Sequence, residues 1–275
     1  MIIDSHQHFW IFEEEKHAWI DDDMANIRRD FLPSDLEPIY NENEVGGCIA
    51  VQADQTLKEN DFLIELAREH AFIKGVIGWI DLRGDHLLRD LEFYGQFPII
   101  KGYRHVVQGE PDPLFLLRKD FLKGIGELQK RNLIYEILVF PHQLPSVLEF
   151  VKLFPDITFV LDHMAKPYIR LGYINAWKLL MKELGNVENV YCKISGVITE
   201  ADYGNWSVPG LLPYLEVVLE SFGSKRILYG SDWPVCLVAG AYKDVIGLAN
   251  SFAEQLSQPE RIDFFHNNAK RIYNL

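Results

Sequence analysis

Ile2-Ile3-Asp4-Ser5-His6-Gln7-His8-Phe9 opens the chain and Arg226-Ile227-Leu228-Tyr229-Gly230-Ser231-Asp232 stands near its end. The two stretches read alike: a short apolar run that stops on residues able to carry a proton. Six more apolar runs lie between them, Gly47 to Ala53, Ile73 to Leu82, Ile99 to Val107, Ile134 to Phe140, Thr158 to His163 and Val190 to Val197. Longer segments with helical spacing of apolar residues separate them. In Asn60 to Ala71, Phe62, Leu63, Leu66 and Ala67 share one helical face, and in Leu114 to Lys130, Leu117, Phe121 and Leu128 do. Near-continuous hydrophobicity within the runs is what parallel strands covered on both faces require. Eight such alternations predict an α/β fold, a single-domain (β/α)8 TIM barrel over residues 1–275, with a doubly wound open sheet as the alternative. In a barrel the last strand closes on the first, so Asp232 is expected beside His6 and His8.

The composition agrees with one large domain. Of 275 residues 48% are hydrophobic, enough to form a core that offsets chain entropy, which excludes a disordered chain. With 27 basic and 40 acidic side chains the net charge is −13. No basic run is present, so neither a nucleic acid nor an anionic membrane surface is expected as partner. The N-terminus lacks the charged and apolar segments of a signal peptide, and no stretch has the length of a membrane span; the expectation is a soluble cytoplasmic protein. Cys48, Cys192 and Cys236 are far apart and odd in number, implying neither a disulfide framework nor a zinc finger.

The longest connection is the first, Trp10 to Glu44, with one short helix expected at Ser34 to Asn41. A connection of that length after a barrel strand is usually a functional loop over the mouth, and this one carries Trp10, His17, Trp19 and Tyr40.

Four constellations bear on chemistry. In Asp4-Ser5-His6-Gln7-His8 a strand period of two puts Asp4, His6 and His8 on one face, where two imidazoles can bind a metal or polarise a carbonyl and an inward Asp4 can orient one of them. The plainer alternative is a pair of core histidines bonded to backbone. Asp232, between an apolar strand and a Trp-Pro turn, is a rim carboxylate suited to take a proton from water, or else a turn cap. His163 in Asp162-His163-Met164-Ala165-Lys166-Pro167 again sits where an apolar run stops, with Lys166 either beside it or on the surface. Arg104 in Lys101-Gly102-Tyr103-Arg104-His105 needs an anionic partner or an oxyanion to justify burial, and is expected to face the lumen while Tyr103 and His105 point away. Lys193 and Ser195 leave the same question of facing open.

Taken together, Asp4-x-His6-x-His8-Phe9-Trp10, Arg29-Asp30-Phe31-Leu32-Pro33, Gly102-Tyr103-Arg104-His105, Asp162-His163-x-x-Lys166-Pro167, Lys193-x-Ser195-Gly196, Tyr229-Gly230-Ser231-Asp232-Trp233-Pro234 and Asn268-Ala269-x-Arg271-x-Tyr273 resemble the amidohydrolase superfamily. Within it the chain resembles the sugar-lactone and pyrone-dicarboxylate lactonases of amidohydrolase family two, along essentially its whole length. The resemblance implies a hydrolase that opens a sugar lactone, with Asp232 as the base that activates water. His6, His8 and His163 would hold the ester carbonyl or, with Asp232, one zinc or other divalent cation. Arg104 would contact substrate or the developing oxyanion. It further implies that no cofactor is strictly required, since the strand Ile134 to Phe140 has Glu136 but no lysine to carry a bridging carbamate.

With few cations to place at the mouth, a neutral aldonolactone is favoured over a pyrone dicarboxylate, and an L-sugar lactone such as fucono- or rhamnonolactone is the expectation. Trp10, Trp19, Gln52, Asp54, His142 and Trp233 are the side chains expected to receive it. The alternatives are pyrone-dicarboxylate lactonase and a metal-dependent decarboxylase of the same superfamily. A small-molecule sugar lactone is the expected partner, and a homodimer is an allowed assembly.

Overall fold

Val, Ile and Leu on both faces of each short run leave no edge that tolerates water, and all eight runs become strands of one closed sheet. The computed structural model describes residues 1–275. Its strands are β1 (Ile2–Gln7), β2 (Val45–Val51), β3 (Ile73–Gly78), β4 (Ile100–His105), β5 (Ile134–Ile137), β6 (Phe159–Leu161), β7 (Val190–Ile194) and β8 (Ile227–Tyr229). They pair in sequence order, each parallel to the next. β8 meets β1 through its extension: the His8 N–H donates to the Trp233 carbonyl at 2.7 Å and the Asp232 N–H to the His6 carbonyl at 2.8 Å. This closure excludes the open sheet.

Around the barrel run α1 (Pro33–Glu42), α2 (Leu57–Glu69), α3 (Leu87–Tyr94), α4 (Lys119–Gln129), α5 (Leu144–Lys152), α6 (Asn175–Gly185), α7 (Val208–Phe222) and α8 (Tyr242–Ala253). The short α9 (Gln258–Ile262) and α10 (Asn268–Ile272) follow. The expected helix at Ser34 to Asn41 lies within α1, whose first turn is fixed by Asp35 accepting the Leu32 N–H at 2.9 Å.

The lumen is layered. Its floor is apolar, built from Ile3, Ile49, Val51, Ile77, Ile134, Val160 and Leu228 and sealed by Ala269 and Tyr273 from the C-terminal segment. Above it lies a band of buried charge, His6, Arg104, Glu136, Asp162 and Lys193. Apolar side chains between barrel and helices form the larger core.

One expectation from strand periodicity fails. β1 is irregular in its pairing between Asp4 and Gln7, so Asp4 does not share the lumen face with His6 and His8. Its carboxylate instead accepts from Tyr40 Oη of α1 at 3.0 Å and Tyr242 Oη of α8 at 3.3 Å, and from the Ser231 N–H at 2.8 Å. Asp4 therefore ties the β1–β8 seam to the helix layer. Burial pushes its pKa up to about 6, against the pull of those donors.

Candidate active site

At the C-terminal mouth the ends of β1, β6 and β8 deliver three imidazoles to one carboxylate. Asp232 Oδ1 lies 3.5 Å from His8 Nε2, 3.9 Å from His6 Nε2 and 3.9 Å from His163 Nε2. The Nε2 atoms of His6 and His8 are 3.1 Å apart. His8 is held by its other nitrogen, Nδ1, 2.7 Å from the Val51 carbonyl, which makes Nδ1 the protonated position and turns a lone pair at Nε2 inward. His163 Nδ1 is 2.9 Å from Ser195 Oγ at the end of β7.

Unusual backbone aims these groups. His163, Met164, Ala165 and Lys166 form a run of left-handed residues, φ 49° to 56°, and Asp232 has φ 58°. Each such conformation costs of the order of 1 kcal/mol for a residue with a Cβ, and such strain concentrates at functional sites. Gly196, at φ +63°, backs the same cluster: a Cβ there would meet His163 Nδ1 at 2.7 Å. Only glycine lets β7 turn away this close to the histidine.

Beneath the histidines the buried charges neutralise one another. Lys193 Nζ donates to Glu136 Oε2 at 2.5 Å and stands 3.1 Å from both Asp162 Oδ1 and His6 Nδ1. Arg104 Nη1 donates to Asp162 Oδ2 at 2.9 Å, and its Nη2 to the Gln52 carbonyl at 2.6 Å. Tyr273 Oη donates to Glu136 Oε1 at 2.6 Å, tying the network to the C-terminus.

The pKa values follow from these contacts. Burial, reinforced by the Lys193 ammonium, holds His6 well below its ordinary value. Burial likewise brings His163 down to about 4, against the pull of Asp232. For Asp162 burial opposes ionisation, but Lys193, His6 and Arg104 outweigh it and keep the carboxylate charged. Asp232 behaves the same way: burial works against its charge, His163, His8 and Lys166 favour it, and the outcome lies below the ordinary carboxylate value.

A cavity of about 500 Å³ opens above this cluster, and His8, Arg104, His163 and Asp232 line it. Trp19, 44% exposed, forms part of its rim, as do Lys166, Tyr168 and Arg170 from the segment after β6. The other expected substrate contacts need correction. Trp10 is 1% exposed and donates from Nε1 to the Arg29 carbonyl at 2.8 Å, pinning the long first connection. Trp233, also 1% exposed, packs edge-on against Phe9 and Phe31. Gln52 is fully buried and holds Arg104. The wall between barrel and loop takes these large side chains for packing, so none of the three lines the cavity. Asp54 and His142 are likewise absent from its lining.

The anionic partner that Arg104 required is Asp162, and the ion pair between Lys193 and Glu136 had not been inferred. Part of its signal is in the sequence: each is a lone charge inside an apolar run, on strands two places apart around the barrel and of opposite sign, although the lumen register that joins them is not. Arg104, Lys193 and Ser195 face the lumen side, and His105 faces away, 2.6 Å from Glu110 and stacked on Phe115.

Donor chemistry fits one divalent ion. Nitrogen lone pairs of His6 and His8 and an oxygen of Asp232 lie within 4.8 Å of one another, all buried, and two imidazole edges facing each other at 3.1 Å are a natural seat for a cation. A second set, His6, Asp162 and His163, overlaps the first.

Comparison with known proteins bears on the family of the whole chain. A protein of Burkholderia multivorans named L-fucono-1,5-lactonase is 38% identical to the chain, the match covering 99% of this chain and 96% of the relative. A protein of Burkholderia ambifaria with the same name is 34% identical, over 99% and 95%. The solved structure of an amidohydrolase from Burkholderia multivorans with bound zinc superposes with a TM-score of 0.97 at 37% identity, covering 100% of this chain and 99% of that one. A family model described as amidohydrolase matches residues 3–275, and the chain is a member of that amidohydrolase family.

Proposed function

We propose that the protein is a hydrolase that opens the ring of a sugar lactone, an aldonolactone of an L-sugar such as L-fucono- or L-rhamnonolactone, with water activated by Asp232. The observation that carries the reading is one buried carboxylate oxygen held 3.5 to 3.9 Å from three imidazole Nε2 atoms at the base of an open cavity. Two full-length relatives named as L-fucono-1,5-lactonases supply the substrate class.

Asp232 is ionised and accepts a proton as the water oxygen bonds to the lactone carbonyl carbon. Without a metal, negative charge that develops on the carbonyl oxygen is met by the Arg104 guanidinium and by the His163 imidazole, whose Nδ1 accepts from Ser195 Oγ and whose Nε2 can then donate, while His6 and His8 turn lone pairs inward. Collapse of the adduct breaks the bond from the carbonyl carbon to the ring oxygen. The ring oxygen leaves as a hydroxyl, taking the proton from Asp232, and the open aldonic acid departs and ionises to the aldonate, releasing one proton to water. When a divalent ion is bound, His6, His8 and Asp232 would hold it, with His163 alongside, and it would supply Lewis-acid polarisation of the carbonyl. We propose that it is dispensable, because β5 carries Glu136 and no lysine to form the bridging carbamate of a two-metal site.

Charge at the mouth favours a neutral sugar over a dicarboxylate. Arg104 is paired with Asp162, Lys166 lies 3.4 Å from Glu200, and Arg170 donates to the Ala201 carbonyl, so little cationic capacity is left for a dianion. A panel of aldonolactones followed with a pH indicator, with and without chelator, tests the reading. Turnover of an L-sugar lactone in both conditions is expected. Inactivity on every lactone, with zinc-dependent loss of carbon dioxide from an aromatic acid, would replace it with the decarboxylase.

A further inference from the structure

Most polar side chains on the cavity wall are already paired. Arg104 binds Asp162 and the Gln52 carbonyl through its two terminal nitrogens, with only its Nε left without a partner, Lys166 faces Glu200, Arg170 reaches the Ala201 carbonyl and His163 meets Ser195. Gln108 and Thr199 are different. Both line the cavity, yet Gln108 Oε1 and Thr199 Oγ1 are buried without a hydrogen-bond partner. Buried polar atoms are nearly always satisfied, and an orphan in a cavity wall is what a ligand's polar group relieves.

We propose that Gln108 and Thr199 read the ring hydroxyls of the substrate, an inference that rests on the lactonase reading and deepens it. The substrate is then an aldonolactone with free hydroxyls on at least two carbons away from the carbonyl. Gln108 lies in the turn Val107–Gly109 after β4, and Thr199 in the turn Ile198–Glu200 after β7, so the two reach the cavity from different sides of the barrel mouth. Asp232 lines the same cavity. The backbone of the first turn is fixed: the Gln108 N–H donates to the Leu138 carbonyl at 2.9 Å, and Gln143 Nε2 donates to the Val107 carbonyl at 2.9 Å. A carboxamide oxygen accepts from a hydroxyl and a threonine hydroxyl both donates and accepts, which matches the two-way hydrogen bonding of a polyol. Val106, Leu138 and Phe140 beside them present an apolar wall to the C–H face of the ring.

The test compares kcat/KM for L-fucono-1,5-lactone with that for δ-valerolactone, an unsubstituted ring of the same size, in the wild type and in Gln108→Leu and Thr199→Val. Each variant is expected to lower the value for the sugar lactone by about fivefold to a hundredfold, the range for a buried hydroxyl left unpaired, and to leave δ-valerolactone within about twofold. Thr199→Ser should restore the wild-type ratio. Because the two oxygens lack partners in the free protein, removing either is expected to hold or raise the thermal midpoint, whereas a packing role would lower it. Should a variant fail to fold, Gln108→Met and Thr199→Ala carry the same expectation. Equal losses on both substrates, or no loss on either, would overturn the assignment. A wild type inactive on both lactones would instead bring down the lactonase reading on which it rests.

Discussion

Asp232 and His163 stand in a dry site where each opposes the other's neutral habit, and the result is a fixed charge pattern across the physiological range. His163 is brought down to about 4 and Asp232 lies below the ordinary carboxylate value of 3.8. Above pH 5 the imidazole is therefore neutral and the carboxylate charged, and ligation of a cation would push both further the same way. Enzymatic kcat/KM, corrected for spontaneous hydrolysis, is expected to stay level between pH 5 and 8. A fall as pH rises through 6.5 would mean that a protonated imidazole is required. At this scale the sequence was informative where a polar residue ended an apolar run, as at His8, His163 and Asp232. Trp10, Gln52 and Trp233 misled for a physical reason: a large or polar side chain at a strand end serves a loop's packing as readily as a ligand. Asp4 misled because a pairing irregularity two residues downstream changes which face a side chain occupies, and nothing in Asp4-Ser5-His6 announces it.

Each strand ends before the apolar run that predicted it, β8 stopping at Tyr229 where the run continues to Asp232. The surplus residues leave the ladder and turn into the mouth, so the overshoot marks the positions to which we assign the chemistry. The long first connection divides its aromatics in the same way. Trp10 and Phe31 pair across an antiparallel bridge and close the loop's base, His17 is buried against Phe12, and Trp19 alone of the loop's tryptophans reaches the cavity rim. Trp19→Ala is expected to raise KM for a sugar lactone several-fold while changing δ-valerolactone little, because the bare ring has less surface to lose. Equal changes in both KM values would assign Trp19 to loop packing instead.

Across the whole barrel, closure brings residues more than two hundred positions apart into one site, and that much was legible from counting eight alternations. The charged layer beneath was harder to read, since a pairing between β5 and β7 depends on lumen register that neither strand reveals alone. Lys193, Glu136, Asp162, His6 and Arg104 form one connected network, sealed by Tyr273. Removing its central cation leaves the buried Glu136 without a counter-charge and Asp162 with Arg104 alone, so Lys193→Met is expected to destabilise the fold by about 3–5 kcal/mol in denaturant titration. Adding Glu136→Gln should recover part of that loss, and an unchanged midpoint in the single variant would show the network to be energetically idle.

The claim on which the functional account turns is that Asp232 activates the water. Its most direct test is kcat on the best sugar lactone for Asp232→Asn, a substitution of nearly equal shape, alongside thermal unfolding to show that the barrel is intact. The account predicts a loss of about 10²-fold or more with the unfolding midpoint preserved. Near-normal kcat in the folded variant would contradict it.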